Sequence, residues 1–208
     1  MILGTGSAAP SKLRASSAIY VELTTDTNSR RTEHAVPAML LDCGEGAYGQ
    51  LVRQFDSTEA VATRLQALRC IWISHHHADH QCGLVRVLEE FLRVREDNEL
   101  FVIAPNCVLT YVTTWFPGLP QGVRLATCDE INDHSSPRRH EFLRHMRAFV
   151  SEWRSVRVWH CHDAFGLVCR LVDGRRLVYS GDTKPCDQLV RAGEYCFSLA
   201  VGLTLLKN

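Results

Sequence analysis

No transmembrane run of roughly 20 apolar residues divides the 208-residue chain. The apolar tail Tyr195 to Asn208 is too short to span a bilayer. No signal-peptide-like apolar segment opens the sequence, and its nine cysteines, an odd number, never occur as CxxC. A disulfide framework is therefore excluded as an expectation, and most cysteines should be buried thiols in an intracellular protein. Nothing in the chain separates nucleus, cytoplasm and mitochondrion. Also missing are a Pro/Gly/Ser-rich linker and an internal repeat, so one domain is expected, and 46% hydrophobic residues are enough for its core. A net charge is absent as well: 23 Lys and Arg balance 23 Asp and Glu. Polyanion binders usually carry a basic excess, so the balance is weak evidence against a nucleic-acid enzyme.

What is present is one tight cluster, Ser74-His75-His76-His77-Ala78-Asp79-His80. Cys70 to Ile73 before it has the look of a buried strand, and Gly83 onward of a helix, which places the cluster on the connecting turn. Such strand-end loops aim several side chains at one point. Imidazole and carboxylate are donors that zinc prefers, and four within six residues can serve two adjacent ions. His75 and His77 would hold the first, Asp79 and His80 the second. His76, between two ligand candidates, should point away from them. These residues predict a binuclear metal hydrolase.

Several other segments accompany the cluster. Gly4-Thr5-Gly6-Ser7-Ala8-Ala9-Pro10-Ser11-Lys12-Leu13-Arg14 opens the chain, and Leu41-Asp42-Cys43-Gly44-Glu45-Gly46 follows. Further on come Val158-Trp159-His160-Cys161-His162-Asp163-Ala164-Phe165-Gly166 and Tyr179-Ser180-Gly181-Asp182-Thr183. Together with the histidine cluster, in this order, they resemble the metallo-β-lactamase fold and, within it, the tRNA 3′-processing endonucleases of the tRNase Z family. The resemblance runs from residue 2 to about residue 194. It implies an α/β protein built as an αββα sandwich, with the partial catalytic domain over residues 1–194 and a divergent tail over 195–208.

The resemblance also implies roles. His160 would complete the first zinc with His75 and His77, and Asp182 would bridge it to the second zinc, held by Asp79 and His80. Asp42 would orient a metal-ligating histidine, and Lys12 and Arg14 would lie in a substrate loop whose family asparagine is Ala15 here. The catalytic roles fall to Asp79 and Asp42. The implied substrate is precursor tRNA, cut after the discriminator base to leave a 3′-hydroxyl on the tRNA and a 5′-phosphate on the trailer.

Where family members continue after the Gly-Asp turn with a His-Glu-Ala-Thr segment and a later histidine, this chain has no His, Asp or Glu after Glu194. Two zincs are thus expected of the complete family site and about one tightly held zinc here. The tail either replaces a core strand or is an artefact of splicing. Only Met1 to Leu3 precede the glycine turn, too few for a normal strand. In long forms of the family a separate N-terminal half grips the tRNA, so that half, or a homodimer partner, is the expected companion.

Other readings stay open. Gly4 to Ala9 also satisfies the dinucleotide pattern GxGxxA, but that needs a helix to open there, and Pro10 and a strand-like Ala18 to Leu23 follow instead. These glycines are expected to bring backbone close to the substrate or the metal site. Cys161 is an alternative ligand beside His160. Arg138, Arg139, Arg144, Arg147, Arg154 and Arg157 suit a solvated helix face or phosphate contact equally, and His134, His140 and His145 should be surface residues. A different hydrolase of the same fold, or a non-catalytic product with an incomplete site, remains an alternative to the endonuclease.

Periodicity supplies the scaffold. Strands are expected at Ala18 to Leu23 and Ala38 to Leu41, joined by a polar hairpin loop from Thr24 to Glu33. Helices are expected at Tyr48 to Phe55, at Thr58 to Leu68 with Val61, Leu65 and Leu68 on one stripe, and at Leu84 to Arg95. Asp173-Gly174 should turn a hairpin between Leu167–Val172 and Arg176–Tyr179.

Overall fold

The computed structural model describes residues 1–6, 11, 14–23, 36–194 and 200–201. The hairpin loop expected from Thr24 lies outside the described residues, as do Lys12 and most of the tail. Six strands form the first sheet in chain order: β1 (Ile2–Gly4), β2 (Ala18–Glu22), β3 (Ala38–Leu41), β4 (Leu68–Trp72), β5 (Leu100–Ala104) and β6 (Val123–Thr127). The second sheet has the order β10-β9-β8-β7, with β7 (Val150–Arg157), β8 (Phe165–Leu171), β9 (Arg176–Tyr179) and β10 (Ala200–Val201).

From β3 to β6 the strands run parallel. Both faces of such strands are covered, which is why Ala-Met-Leu-Leu and Leu-Phe-Val-Ile-Ala are buried at every residue. Alternate side chains serve two different cores. Leu40, Ile71 and Val102 face outward onto Leu51 of α1 (Ala47–Phe55), Leu65 of α2 (Thr58–Gln66), Phe91 of α4 (Leu84–Val94) and Val112 of α5 (Asn106–Trp115). Met39, Leu41, Trp72, Phe101 and Ile103 face inward, where they meet Trp153, Leu167, Cys169 and Tyr179 of the second sheet. The indole of Trp72 donates across this inner layer to Ser155 Oγ at 3.1 Å. Short α6 (Cys128–Asn132) and α7 (Pro137–Met146) close its side with Ile131, Phe142 and Met146. On the far face Leu189 of α8 (Asp187–Gly193) packs with Val156. The layers are thus helix, sheet, sheet, helix, the αββα sandwich. The remaining α3 (Ala78–Gln81) is a single turn inside the histidine cluster.

Several boundaries differ from expectation. Leu68 is not helical: α2 ends at Gln66, because the Ala67 carbonyl already accepts the Ala38 amide at 2.9 Å, and Leu68 opens β4. Ile2 to Gly4 does form a strand; β2 pairs with it, and the Tyr20 amide donates to the Met1 carbonyl at 2.8 Å. His145 is half-buried and not fully at the surface. Its ring lies 5.1 Å from that of Phe101, its Nε2 sits 3.0 Å from the Arg69 carbonyl, and burial lowers its pKa. Within the tail, Ala200–Val201 runs parallel to β9, opposite Val178 and Tyr179. The arginine group divides between α7 and its end, which carry Arg138, Arg139, Arg144 and Arg147, and β7, which carries Arg154 and Arg157.

Candidate metal centre

Four loops deliver the candidate site to one rim of the sandwich. Asp42 follows β3 and His75 follows β4, neighbouring parallel strands whose carboxyl ends lie side by side. His160 follows β7, and Asp182 follows β9 in the opposing sheet. The Ser74 carbonyl accepts the Phe165 amide at 2.9 Å, so the two sheets are joined where the ligands emerge. Gly181 completes this closeness: its φ is 55°, and a Cβ there would meet Ser74 Cβ at 2.8 Å.

Three imidazole nitrogens converge. His77 Nδ1 lies 3.0 Å from His75 Nε2 and 3.0 Å from His160 Nε2. One ring nitrogen cannot donate to both neighbours, whereas a cation would use all three lone pairs. Burial, followed by the nearby His80, holds the His75 pKa down at about 3, which keeps that ring neutral, the form a metal requires. His75 is buried and His160 exposed, so the group opens from the core toward solvent.

A second group adjoins it. His80 Nε2 lies 3.5 Å from Asp182 Oδ1 and 3.7 Å from Asp79 Oδ2. The other Asp182 oxygen, Oδ2, lies 3.8 Å from His160 Nε2, so this carboxylate spans the two groups. Burial alone would lower the His80 pKa, but the Asp42 and Asp182 carboxylates push it up to about 10. The same carboxylates that favour a proton on His80 would favour a bound cation there.

Asp42 touches neither group's open face. It is fully buried and accepts from the Ser74 amide at 2.7 Å, Ser74 Oγ at 2.9 Å, Tyr179 hydroxyl at 2.5 Å and His80 Nδ1 at 2.6 Å. Occupying Nδ1 leaves His80 Nε2 for the Asp79 and Asp182 side. Ser74 and Tyr179, which no motif singles out as site residues, are thereby part of the support. Tyr179 could have been found from the period-two pattern of β9, which turns Leu177 and Tyr179 inward together.

Arg14 is exposed and closes a turn on Ser11, its carbonyl accepting the Ser11 amide at 2.8 Å. The opening glycines do not approach the metal groups. Gly4 and Gly6 lie instead against the Ala15–Ser16 backbone, where a Cβ on Gly4 would meet the Ser16 carbonyl oxygen at 1.7 Å. That segment in turn holds the site, since the Ser17 amide donates to the Asp79 carbonyl at 3.0 Å. Gly44 is under the same constraint. Its added Cβ would lie 2.0 Å from the Asp79 carbonyl oxygen and 2.6 Å from Ser16 Cβ. Gly44→Ala should therefore displace the backbone under Asp79 and cost about 1–3 kcal/mol, as overpacking typically does. Thermal denaturation checks this, and an unchanged midpoint would contradict it.

The chain resembles known proteins over nearly its whole length. Residues 38–202 match the beta-lactamase superfamily domain. Zinc phosphodiesterase ELAC protein 2 of Homo sapiens is 34% identical over 208 residues, an alignment covering 93% of this chain and 24% of that protein. A protein of Arabidopsis thaliana named tRNAse Z TRZ4, mitochondrial, is 29% identical, with 93% of this chain and 26% of that protein covered. The crystal structure of a long-form RNase Z from yeast superposes with a TM-score of 0.74 at 25% identity, over 89% of this chain and 29% of that one. The chain spans about a quarter of the length of these curated relatives. It belongs to the beta-lactamase superfamily, with the metallo-β-lactamase-fold tRNase Z proteins as its relatives.

Proposed function

We propose that this chain is the catalytic part of a zinc-dependent endoribonuclease that removes the 3′ trailer from precursor tRNA by phosphodiester hydrolysis. The observation that carries the reading is the convergence of His75, His77 and His160 beside a carboxylate, Asp182, that reaches both this group and His80. His75, His77 and His160 would hold one zinc, Asp79 and His80 a second, and Asp182 would lie between them. When bound, zinc supplies Lewis-acid chemistry, making water nucleophilic near neutral pH and offsetting charge that builds on the phosphate.

The chain's own groups do the rest. Asp42 fixes the tautomer and direction of His80, and Ser74 ties that carboxylate to the loop bearing His75. Lys12 and Arg14 would contact phosphates of the precursor. Residues 1–194 form the catalytic unit, with the segment beyond 195 adding the β10 edge. Grip on the body of the tRNA would come from a further N-terminal half or from a second copy of the chain.

Trailer release from a precursor tRNA, run beside hydrolysis of bis-p-nitrophenyl phosphate, tests the substrate. Small-ester turnover with an untouched precursor would favour another hydrolase of the fold. His77→Ala should abolish cleavage. Lys12→Ala should mainly weaken precursor binding and flatten its salt dependence by about one phosphate contact. Near-normal turnover in the His77 variant would show that the metal assignment is wrong.

A further inference from the structure

His76 turns away from its neighbours in the cluster and toward a different set of ligand-type groups. Its Nδ1 lies 2.6 Å from Asp163 Oδ1. Cys161 Sγ donates to the same oxygen at 3.0 Å and stands 3.8 Å from His76 Nδ1. From the first turn of α5, Cys107 Sγ donates to the other oxygen, Oδ2, at 2.7 Å. Three segments far apart in sequence thus place two thiols and an imidazole around one carboxylate that is only 8% exposed. Burial alone would raise the Asp163 pKa, yet the hydrogen bonds from Cys107, Cys161 and His76 hold it well below the usual range. A buried anion ringed by groups that all become metal ligands once they release or free a proton is the arrangement a bound cation would complete.

We propose that His76, Cys161 and Asp163 form a separate site for a thiophilic divalent cation such as zinc, structural in role and distinct from the histidine–aspartate groups, with Cys107 steadying the far oxygen of Asp163. This goes beyond the endonuclease reading and does not depend on the substrate. His76, Cys161 and Asp163 each offer one ligand atom within 4.8 Å of the others. The 3.8 Å separation of His76 Nδ1 and Cys161 Sγ is close to the roughly 3.6 Å between nitrogen and sulfur ligands of tetrahedral zinc. The shorter contacts to Asp163 are hydrogen bonds, and they would lengthen by about 0.5–0.8 Å when a cation replaces the protons. A 570 Å³ cavity bordered by Cys107, Asp129, His162 and Asp163 provides the way in.

The placement gives the ion a purpose. His76 sits between His75 and His77, and Cys161 follows His160, so one cation would clamp the two loops that carry the first histidine group. Sulfur ligates zinc as the thiolate, so one cation would bind through Cys161 Sγ with loss of its proton.

Cobalt(II) titration of the full chain, stripped of metal and kept reduced with a phosphine, separates this site from the other. The histidine–aspartate groups contain no sulfur, so thiolate-to-cobalt charge transfer in the near ultraviolet reports only a cysteine site. We expect one equivalent of that absorption. It should persist in His77→Ala, weaken in Cys107→Ser and vanish in Cys161→Ser, all checked for folding by circular dichroism. Saturating cobalt without charge-transfer absorption in the unaltered chain would overturn the proposal. So would an undiminished band in Cys161→Ser, which would place the sulfur elsewhere.

Discussion

Asp42→Ala is expected to lower the unfolding free energy by about 3–5 kcal/mol, the cost typical of removing one partner from a buried charged pair. The carboxylate is fully buried and serves four donors: the Ser74 amide and hydroxyl, the Tyr179 hydroxyl and His80 Nδ1. Each donor left without an acceptor costs about 1–3 kcal/mol, so the stated range already allows for water entering the vacated space. Backbone conformation adds to the loss. Asp42 has φ 55°, a left-handed geometry that Asp tolerates through local hydrogen bonding and Ala does not. Asp42→Asn separates the two contributions. It keeps a side chain suited to that backbone and one oxygen for the Ser74 amide, but it presents an NH2 where Oδ2 accepts from three groups. Most of the loss should therefore persist in Asn. A urea midpoint that falls at constant slope in both variants is the expected result, and wild-type behaviour of Asp42→Asn would remove the hub role assigned to this residue.

Local chemistry made part of this molecule legible in advance. Ala38–Leu41 and Arg176–Tyr179 coincide with expectation because a short apolar run bounded by turn residues has few other uses. His75, His77 and His80 were visible because one loop carries them all, and His160 and Asp182 only through their family motifs. No element is expected between Asn98 and Ala126, although β5, α5 and most of β6 lie there. Leu100–Ala104 is apolar at every position, so its period does not distinguish a strand from a buried helix. In β7 a register shift between Val150 and Glu152 breaks the alternation that would mark an edge strand. The glycine turn shows another limit: glycine reports that something comes close, and here the partner is the Ala15–Ser16 backbone. The group around Asp163 had no local signature, since His76 and Cys107 reach it across 87 and 56 residues of chain.

The two histidine–aspartate groups should bind zinc unequally, and the Cys161→Ser variant is the background in which to see it, because the sulfur-containing site is then disabled. The first group offers three imidazoles, with Asp182 Oδ2 3.8 Å from His160 Nε2. Apart from His75, which converges on both groups, the second offers, among the described residues, His80, the other oxygen of the same Asp182, and Asp79 at 3.7 Å from His80 Nε2. Three protein ligands can retain zinc with an open position, but they bind it less tightly than four. Protonation widens the gap. His75 is already neutral, its pKa held at about 3 chiefly by burial, so zinc displaces no proton from it. His80 is different: burial lowers its pKa, but Asp42 and Asp182 raise it to about 10, and zinc must displace that proton. Affinity at the second group should therefore fall as the pH drops below that value, since a metal ligand must be deprotonated. Competition against a chromophoric chelator should resolve one tight equivalent and a second weaker by roughly tenfold or more, about 1.4 kcal/mol. The difference should narrow as pH rises. His77→Ala should remove the tight step, and His80→Ala only the weak one. Two equal steps with no dependence on pH would mean that another group completes the second site and that His80 carries no proton to displace.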